Sequence, residues 1–110
     1  MNQRSIVLVP FSDQSGRKVR PALIVSNNTF NGNSDDLVVC AITSMLKKGD
    51  YTLIIGQDNL EVGTLYEKSA IKVETILKIK KSFIIKEIAK VNNKTFFQVF
   101  TLLTKLVRQE

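Results

Sequence analysis

Short apolar runs separated by polar stretches occupy the chain as far as Val91, and an apolar stripe at helical spacing follows them. Ile6–Val9 reads as the first strand, closed by Pro10. The polar segment Ser12–Lys18 is then a loop, in which Gly16 can supply a positive φ. Val19–Ser26 is the second strand. Pro21 holds Arg20 extended and lacks an amide donor, so this strand starts there or lies at an edge. Asn27–Asp36, rich in Asn, Ser and Gly, is a loop by its chemistry. Leu37–Ile42 shows no alternation, as expected of a strand buried on both faces, and it ends on Thr43 and Ser44. Tyr51–Ile55 reads as a fourth strand.

Gln57–Gly63 reads as a further loop. Beyond it Ile71, Val73 and Ile79 alternate with Lys72, Glu74, Lys78 and Lys80, the period of a half-exposed strand. Ile76 and Leu77 break the alternation, which predicts a bulge near Glu74–Leu77. In Phe83–Val91, Ile84, Ile88 and Val91 keep helical spacing while Phe83–Ile85 favours strand; strand is the expectation. Asn92 can cap a helix from Asn93 to Arg108, whose stripe of Phe96, Phe100, Leu103 and Val107 is widened by Val99 and Leu106. Such a stripe is a core face or a dimer contact. Five to seven short strands and one helix describe a mainly β chain, a bent antiparallel sheet or small barrel with a C-terminal helix, and that architecture hosts unrelated functions.

Composition narrows the choice. At 110 residues and 44% hydrophobic content, residues 1–110 make one domain with one core. The net charge of +6 favours an anionic partner, nucleic acid or an acidic protein. Ten of the sixteen cations fall in residues 61–110, mostly as scattered lysines of the kind that solvate a face. Cys40, the only cysteine, sits in Val38–Ile42 and reads as a small buried hydrophobe. The run Ile6–Phe11 is too short, and too interrupted by Pro10, for a secretory or membrane segment, so a cytoplasmic protein without membrane attachment is expected. Histidine is absent. Chemistry must therefore come from Arg, Lys, Asp, Glu, Ser, Thr and backbone.

Metal ligation fails on spacing: Asp35 and Asp36 are adjacent and face opposite ways in an extended segment, and the other acids are single. No metal and no cofactor are expected. The remaining constellation is Arg20 at one strand start with Thr43 and Ser44 at another strand end, beside Lys47 and Lys48. If the two strands pair antiparallel, guanidinium and hydroxyls meet at one rim and form an anion pocket. The plainer reading is a salt bridge from Arg20 to Asp13 or Asp36, with Thr43 and Ser44 capping the following loop.

The run Ser12-Asp13 to Gly16, followed by Lys18-Val19-Arg20-Pro21-Ala22-Leu23-Ile24-Val25-Ser26-Asn27, resembles the signature of the MazF/PemK toxin endoribonucleases. Phe30-Asn31, Ser34-Asp35-Asp36, Ala41-Ile42-Thr43-Ser44, Asp50-Tyr51 and Asp58-Asn59-Leu60 continue the likeness, which runs on through Ser69–Ile76 and Ser82–Val91 into the terminal helix. The resemblance implies a small SH3-like barrel of the MazF/CcdB type and a homodimer. It implies metal-independent, sequence-specific cleavage of single-stranded RNA by 2′-hydroxyl attack, and a cognate antitoxin whose acidic disordered segment covers the RNA groove. By motif, the catalytic pair falls on Arg20 and Thr43. Substrate binding falls on Asp13, Gln14, Ser15, Gly16 and Lys18 of the mobile loop, with Ser44 and Lys47. The family's first strand opens with Gly and an acid, whereas this chain has Arg4-Ser5 and a single Pro10-Phe11, so a shorter or shifted first strand is expected.

Guanidinium titrates only above about pH 12 and is a poor base near neutrality. On this reading Arg20 acts electrostatically, Thr43 orients a phosphoryl oxygen, and water or Asp13 handles the proton. The alternatives are a non-catalytic SH3-like-barrel binding module and a CcdB-like gyrase-directed toxin.

Overall fold

The computed structural model describes residues 1–13 and 16–110, without the side chain of Asp13. Its strands are β1 (Ser5–Asp13), β2 (Gly16–Ile24), β3 (Asp36–Thr43), β4 (Thr52–Ile55), β5 (Leu60–Gly63), β6 (Ser69–Lys80) and β7 (Lys86–Val91), with helices α1 (Asn28–Asn33) and α2 (Asn93–Val107). The strands form one antiparallel sheet in the order β4-β6-β3-β2-β1-β7-β5, curled into a half-barrel with α2 against it. The mainly β architecture with a C-terminal helix is the one expected from the sequence.

The middle strands are buried on both faces, which is why they read as continuous apolar runs. One face supplies Ile6, Leu23, Ile42, Ile71 and Val91, closed over by Val99 of α2. The opposite face supplies Val7, Val9, Ala22, Ile24, Leu37 and Val39, with Leu77, Ile79 and Ile84 packed on them. A single strand serves both clusters through the expected bulge. Cys40 lies opposite Ile76 but Ala41 lies opposite Lys72, so three residues of β6 are inserted at that step. An odd insertion exchanges faces: Ile71 and Val73 point to the α2 side, while Leu77 and Ile79 point to the other.

Pro10 does not close β1, and the strand is not short. It runs nine residues and pairs with β2 from Ile6↔Leu23 to Asp13↔Gly16. The two prolines sit at Leu8↔Pro21 and Pro10↔Val19, two positions apart and therefore in the same phase of the ladder. In that phase the backbone polar groups point away from the β1–β2 ladder; the Leu8 carbonyl accepts from the Ile85 amide at 2.8 Å instead. A missing N–H costs nothing there. The polar stretch Ser12–Lys18 is accordingly a strand hairpin for most of its length, with Gly16 at φ +107° as it re-enters.

Two segments read as loops are regular. Asn27 accepts from the Phe30 amide at 2.8 Å and caps α1, while the buried Asn31 donates to the Ser26 carbonyl at 2.9 Å. Capping and this second local bond override the weak helix propensity of Asn, Thr and Gly. β5 ends at Gly63, φ +92°, where a Cβ would lie 2.3 Å from the Ile88 carbonyl oxygen; only glycine lets β5 close on β7. Helix α2 follows the expected bounds to within a residue, and its cap is Asn92, which accepts from the Thr95 amide at 2.9 Å. The stripe is shared unevenly: Val99 is fully buried, Phe96 and Leu103 are half-buried, and Phe100 and Val107 are 53% and 73% exposed.

Candidate active site

Thr43 ends β3 as expected, but Arg20 lies in the middle of β2 and not at its start, because the β1–β2 hairpin extends past it to Gly16. β2 and β3 pair as Ala22↔Ala41, Leu23↔Cys40 and Ile24↔Val39. The ladder ends at Ala22↔Ala41; carried two residues further, that register would bring Arg20 level with Thr43, on the face of Ala22 and Ala41. Both residues are half-buried. Arg20 is held directly by β1, opposite Val9, so the residue stands on a paired backbone.

Thr43 opens onto a groove of about 270 Å³, lined also by Lys47, Lys48, Thr52, Lys72 and Glu74. Its hydroxyl oxygen accepts from the Met45 amide at 3.1 Å, the loop-capping bond that the plainer reading expected. That bond uses an acceptor lone pair and leaves the O–H free to donate to an anion. Capping and anion binding are therefore compatible in one side chain.

Lys72 enters the groove from β6, opposite both Ala41 and Thr52. Its ammonium lies 3.9 Å from the Glu74 carboxylate, a solvent-exposed pair of small energetic consequence but one that presents a carboxylate among three lysines. The sequence reading missed both residues as site members. The alternation of β6 signals that Lys72 and Glu74 share the face away from the core, but only strand order puts that face beside Thr43.

The remaining candidates divide. Lys47 lines the groove with Thr43, whereas Ser44 is exposed just after β3. Gly16 and Lys18 are exposed at the start of β2, Lys18 opposite Phe11. Gln14, Ser15 and the Asp13 side chain lie outside the described residues. Asp36, one acid considered for Arg20, has its carboxylate 3.8 Å from the Lys78 ammonium. Among the described residues no three Cys, Asp or Glu side chains gather as a metal-binding group, and no helix is long and apolar enough to cross a membrane.

A second surface is apolar. A groove of about 520 Å³ runs along α2, lined chiefly by Phe30, Ile76, Phe96, Phe100, Leu103 and Val107. Phe97 and Phe100 stand with ring centroids 6.5 Å apart on the exposed side of the same helix.

The fold has solved counterparts. An endoribonuclease in complex with its cognate antitoxin, from a mycobacterial species, superposes with a TM-score of 0.80 at 18% identity, over 100% of this chain and 97% of that one. The Mycobacterium tuberculosis toxin MazF-mt6 matches at TM-score 0.80 and 14% identity, over 97% and 99% of the two chains. A MazE-MazF structure from Deinococcus radiodurans matches at TM-score 0.76 and 19% identity, over 100% and 97%. No curated protein sequence matches the chain. The family model for PemK-like, MazF-like toxins matches residues 2–107, nearly the whole sequence and every element described above. With the half-barrel, the terminal helix and that match in agreement, the chain belongs to the PemK-like, MazF-like toxins of type II toxin-antitoxin systems.

Proposed function

We propose that this toxin is a metal-independent endoribonuclease that cuts single-stranded RNA at short sequences. The observation that supports the reading is the β2–β3 register, whose last pair Ala22↔Ala41, extended by two residues, would bring Arg20 level with Thr43, and Thr43 lines a groove with three lysines. In the reaction the ribose 2′-oxygen attacks the adjacent phosphorus and the bond from phosphorus to the 5′-oxygen breaks. The products are a 2′,3′-cyclic phosphate and a 5′-hydroxyl. Arg20 and the groove lysines stabilise the crowded anionic phosphorane, and the Thr43 O–H donates to a phosphoryl oxygen. The Glu74 carboxylate, in the same groove, accepts the 2′-hydroxyl proton, a role the sequence reading assigned to Asp13 or water. A proton from solvent completes the leaving 5′-hydroxyl.

The same reading includes a homodimer joined through the α2 face, because an apolar groove of that kind on a folded chain marks an interaction site. The partner in the cell is a cognate antitoxin whose acidic disordered segment competes with RNA for the basic groove. The antitoxin complexes among the similar structures support this assignment.

The test is cleavage of a long single-stranded RNA in excess EDTA by wild type, Arg20→Ala and Thr43→Ala. Wild type should cut at a few discrete sites, and each variant should lose about a hundredfold to a thousandfold in rate while melting as a folded protein. With no histidine in the chain, log rate should show no bell with limbs near pH 6 and 8. Wild type that binds RNA but cuts none would leave a binding module in place of an enzyme.

A further inference from the structure

Between β5 and β6 the chain passes through residues 64–68, of which Thr64 to Glu67 line a cavity with Leu8 and Pro21. Gln57 pins this crossing: its side-chain amide donates to the Gly63 carbonyl at 3.0 Å and its side-chain oxygen accepts from the Leu65 amide at 2.9 Å. At the next residue, Tyr66 is 95% exposed. An aromatic ring so placed adds almost nothing to the stability of the fold, yet the loop that carries it is held by two bonds from one side chain. That is a preorganised platform with an open face.

Beside Tyr66 lies this cavity of about 540 Å³ with an apolar floor of Leu8, Pro21 and Ile88 and polar walls that include Glu67 and Lys86. Its position relates it to the candidate active site. Pro21 follows Arg20 directly, and β6 enters at Ser69, also in the cavity wall, one residue before Ala70, which lies opposite Thr43. Arg20-Pro21, Thr43 and Ser69 thus stand at one end of the sheet. By strand alternation Leu8, Pro21 and Ser69 share the α2 side of the sheet, so the cavity lies across the rim from the Ala22–Ala41 face that carries Thr43.

We propose that Tyr66 is the stacking platform for one unpaired base of the RNA, in the stretch that continues over the rim from the candidate active site; this rests on the ribonuclease reading above. Unpaired bases are read by stacking on aromatic rings and by hydrogen bonds to their edges. Lys86 suits the phosphate of the same nucleotide. The exposed Glu67 carboxylate offers only acceptors, which favours a base with neighbouring edge donors. Guanine, with N1–H and its exocyclic amino group, meets a carboxylate with two bonds, and uracil meets it with one.

The experiment uses the full chain as wild type, Tyr66→Phe, Tyr66→Ala and Glu67→Gln. Short single-stranded RNAs carrying 2-aminopurine report stacking by quenching, and end-mapping of cleaved random-sequence RNA reports base preference. Wild type and Tyr66→Phe should quench, whereas Tyr66→Ala should lose quenching and bind roughly ten- to a hundredfold more weakly. Glu67→Gln should retain stacking and lose the preference for guanine over uracil at one fixed position. If wild type cuts RNA and Tyr66→Ala binds and cuts as well at the same sites, the stacking role is wrong and the ribonuclease reading stands. If the mapped sites show no preference that Glu67→Gln alters, the carboxylate contact is wrong. Wild type that neither binds nor cuts RNA removes both readings together.

Discussion

The groove at Thr43 and the groove along α2 lie on the same small fold and could hardly be more different in chemistry. The first gathers Lys47, Lys48 and Lys72 about a threonine hydroxyl; the second gathers Phe30, Phe96, Phe100 and Val107. One attracts by Coulomb forces that salt screens over a Debye length of about 8 Å at physiological ionic strength. The other attracts by removing apolar surface from water, roughly 25 cal/mol for each Å², and salt does not weaken it. On the proposed function, a long anion and a second protein surface need both kinds of groove, and need them separate. A lysine in the α2 groove would be desolvated on association, and a phenylalanine at Thr43 would exclude the water and phosphate that the lysines require.

This contrast can be broken most severely at the Arg20–Thr43 pair, where the loss of rate given above should leave association untouched. The next largest effect is expected at the helix. Phe100→Glu combined with Val107→Glu buries two carboxylates in any α2 interface, and sedimentation should show the dimer dissociating at concentrations at least a hundredfold higher than for wild type. RNA binding per chain should survive. A dimer that persists unchanged would mean that another face joins the copies.

A smaller and more discriminating effect is expected at Lys72. Removing one phosphate contact from a single-stranded RNA complex lowers the slope of log affinity against log salt by about 0.7. Lys72→Ala should therefore weaken RNA binding several-fold at low salt, with the difference closing as salt rises. Lys94→Ala, an exposed lysine near the start of α2, should leave the slope alone.

The smallest effect probes the core between the two surfaces. Burial, and then the charge of Glu74, push the Cys40 thiol up from 9.0 to about 11. The unfolded chain then loses the thiol proton before the folded chain does. Stability is whole below pH 9, falls as pH rises through the window from 9 to about 11, and levels above it, by at most about 3 kcal/mol at 1.36 kcal/mol per unit. Denaturant melts of wild type against Cys40→Ala across that window should show the slope in wild type alone. Below pH 9 the thiol should resist alkylating reagents until the chain is unfolded.

How far the sequence reached differs from element to element. The helix from Asn93, its Asn92 cap and the slip in β6 were legible because each is a local matter: spacing, a capping side chain, a break in alternation. The pair Thr43-Ser44 was legible as a strand end, whereas Arg20-Pro21, read as a strand start, lies in the middle of β2. Pro10 misled because a proline's cost depends on whether its position faces a partner strand, and that depends on ladder phase. β5 was illegible because its partner strand β7 is near in space and not in sequence, whereas α1 rests on the local Asn27 cap and Asn31–Ser26 bond inside a segment whose Asn, Ser and Gly content reads as loop.

The sequence by itself determined a mainly β chain with a terminal amphipathic helix, a basic surface without histidine, and the residues able to handle a phosphate. Period, charge and side-chain type are properties of the chain and survive without a fold. Only the tertiary structure decided that Lys72 and Glu74 belong beside Thr43, and that Phe100 and Val107 stay outside the core. It alone decided that Tyr66 is held out over a cavity. Those outcomes depend on strand order and on a three-residue insertion that turns β6 over, and no local property of the sequence encodes which neighbours a face will meet.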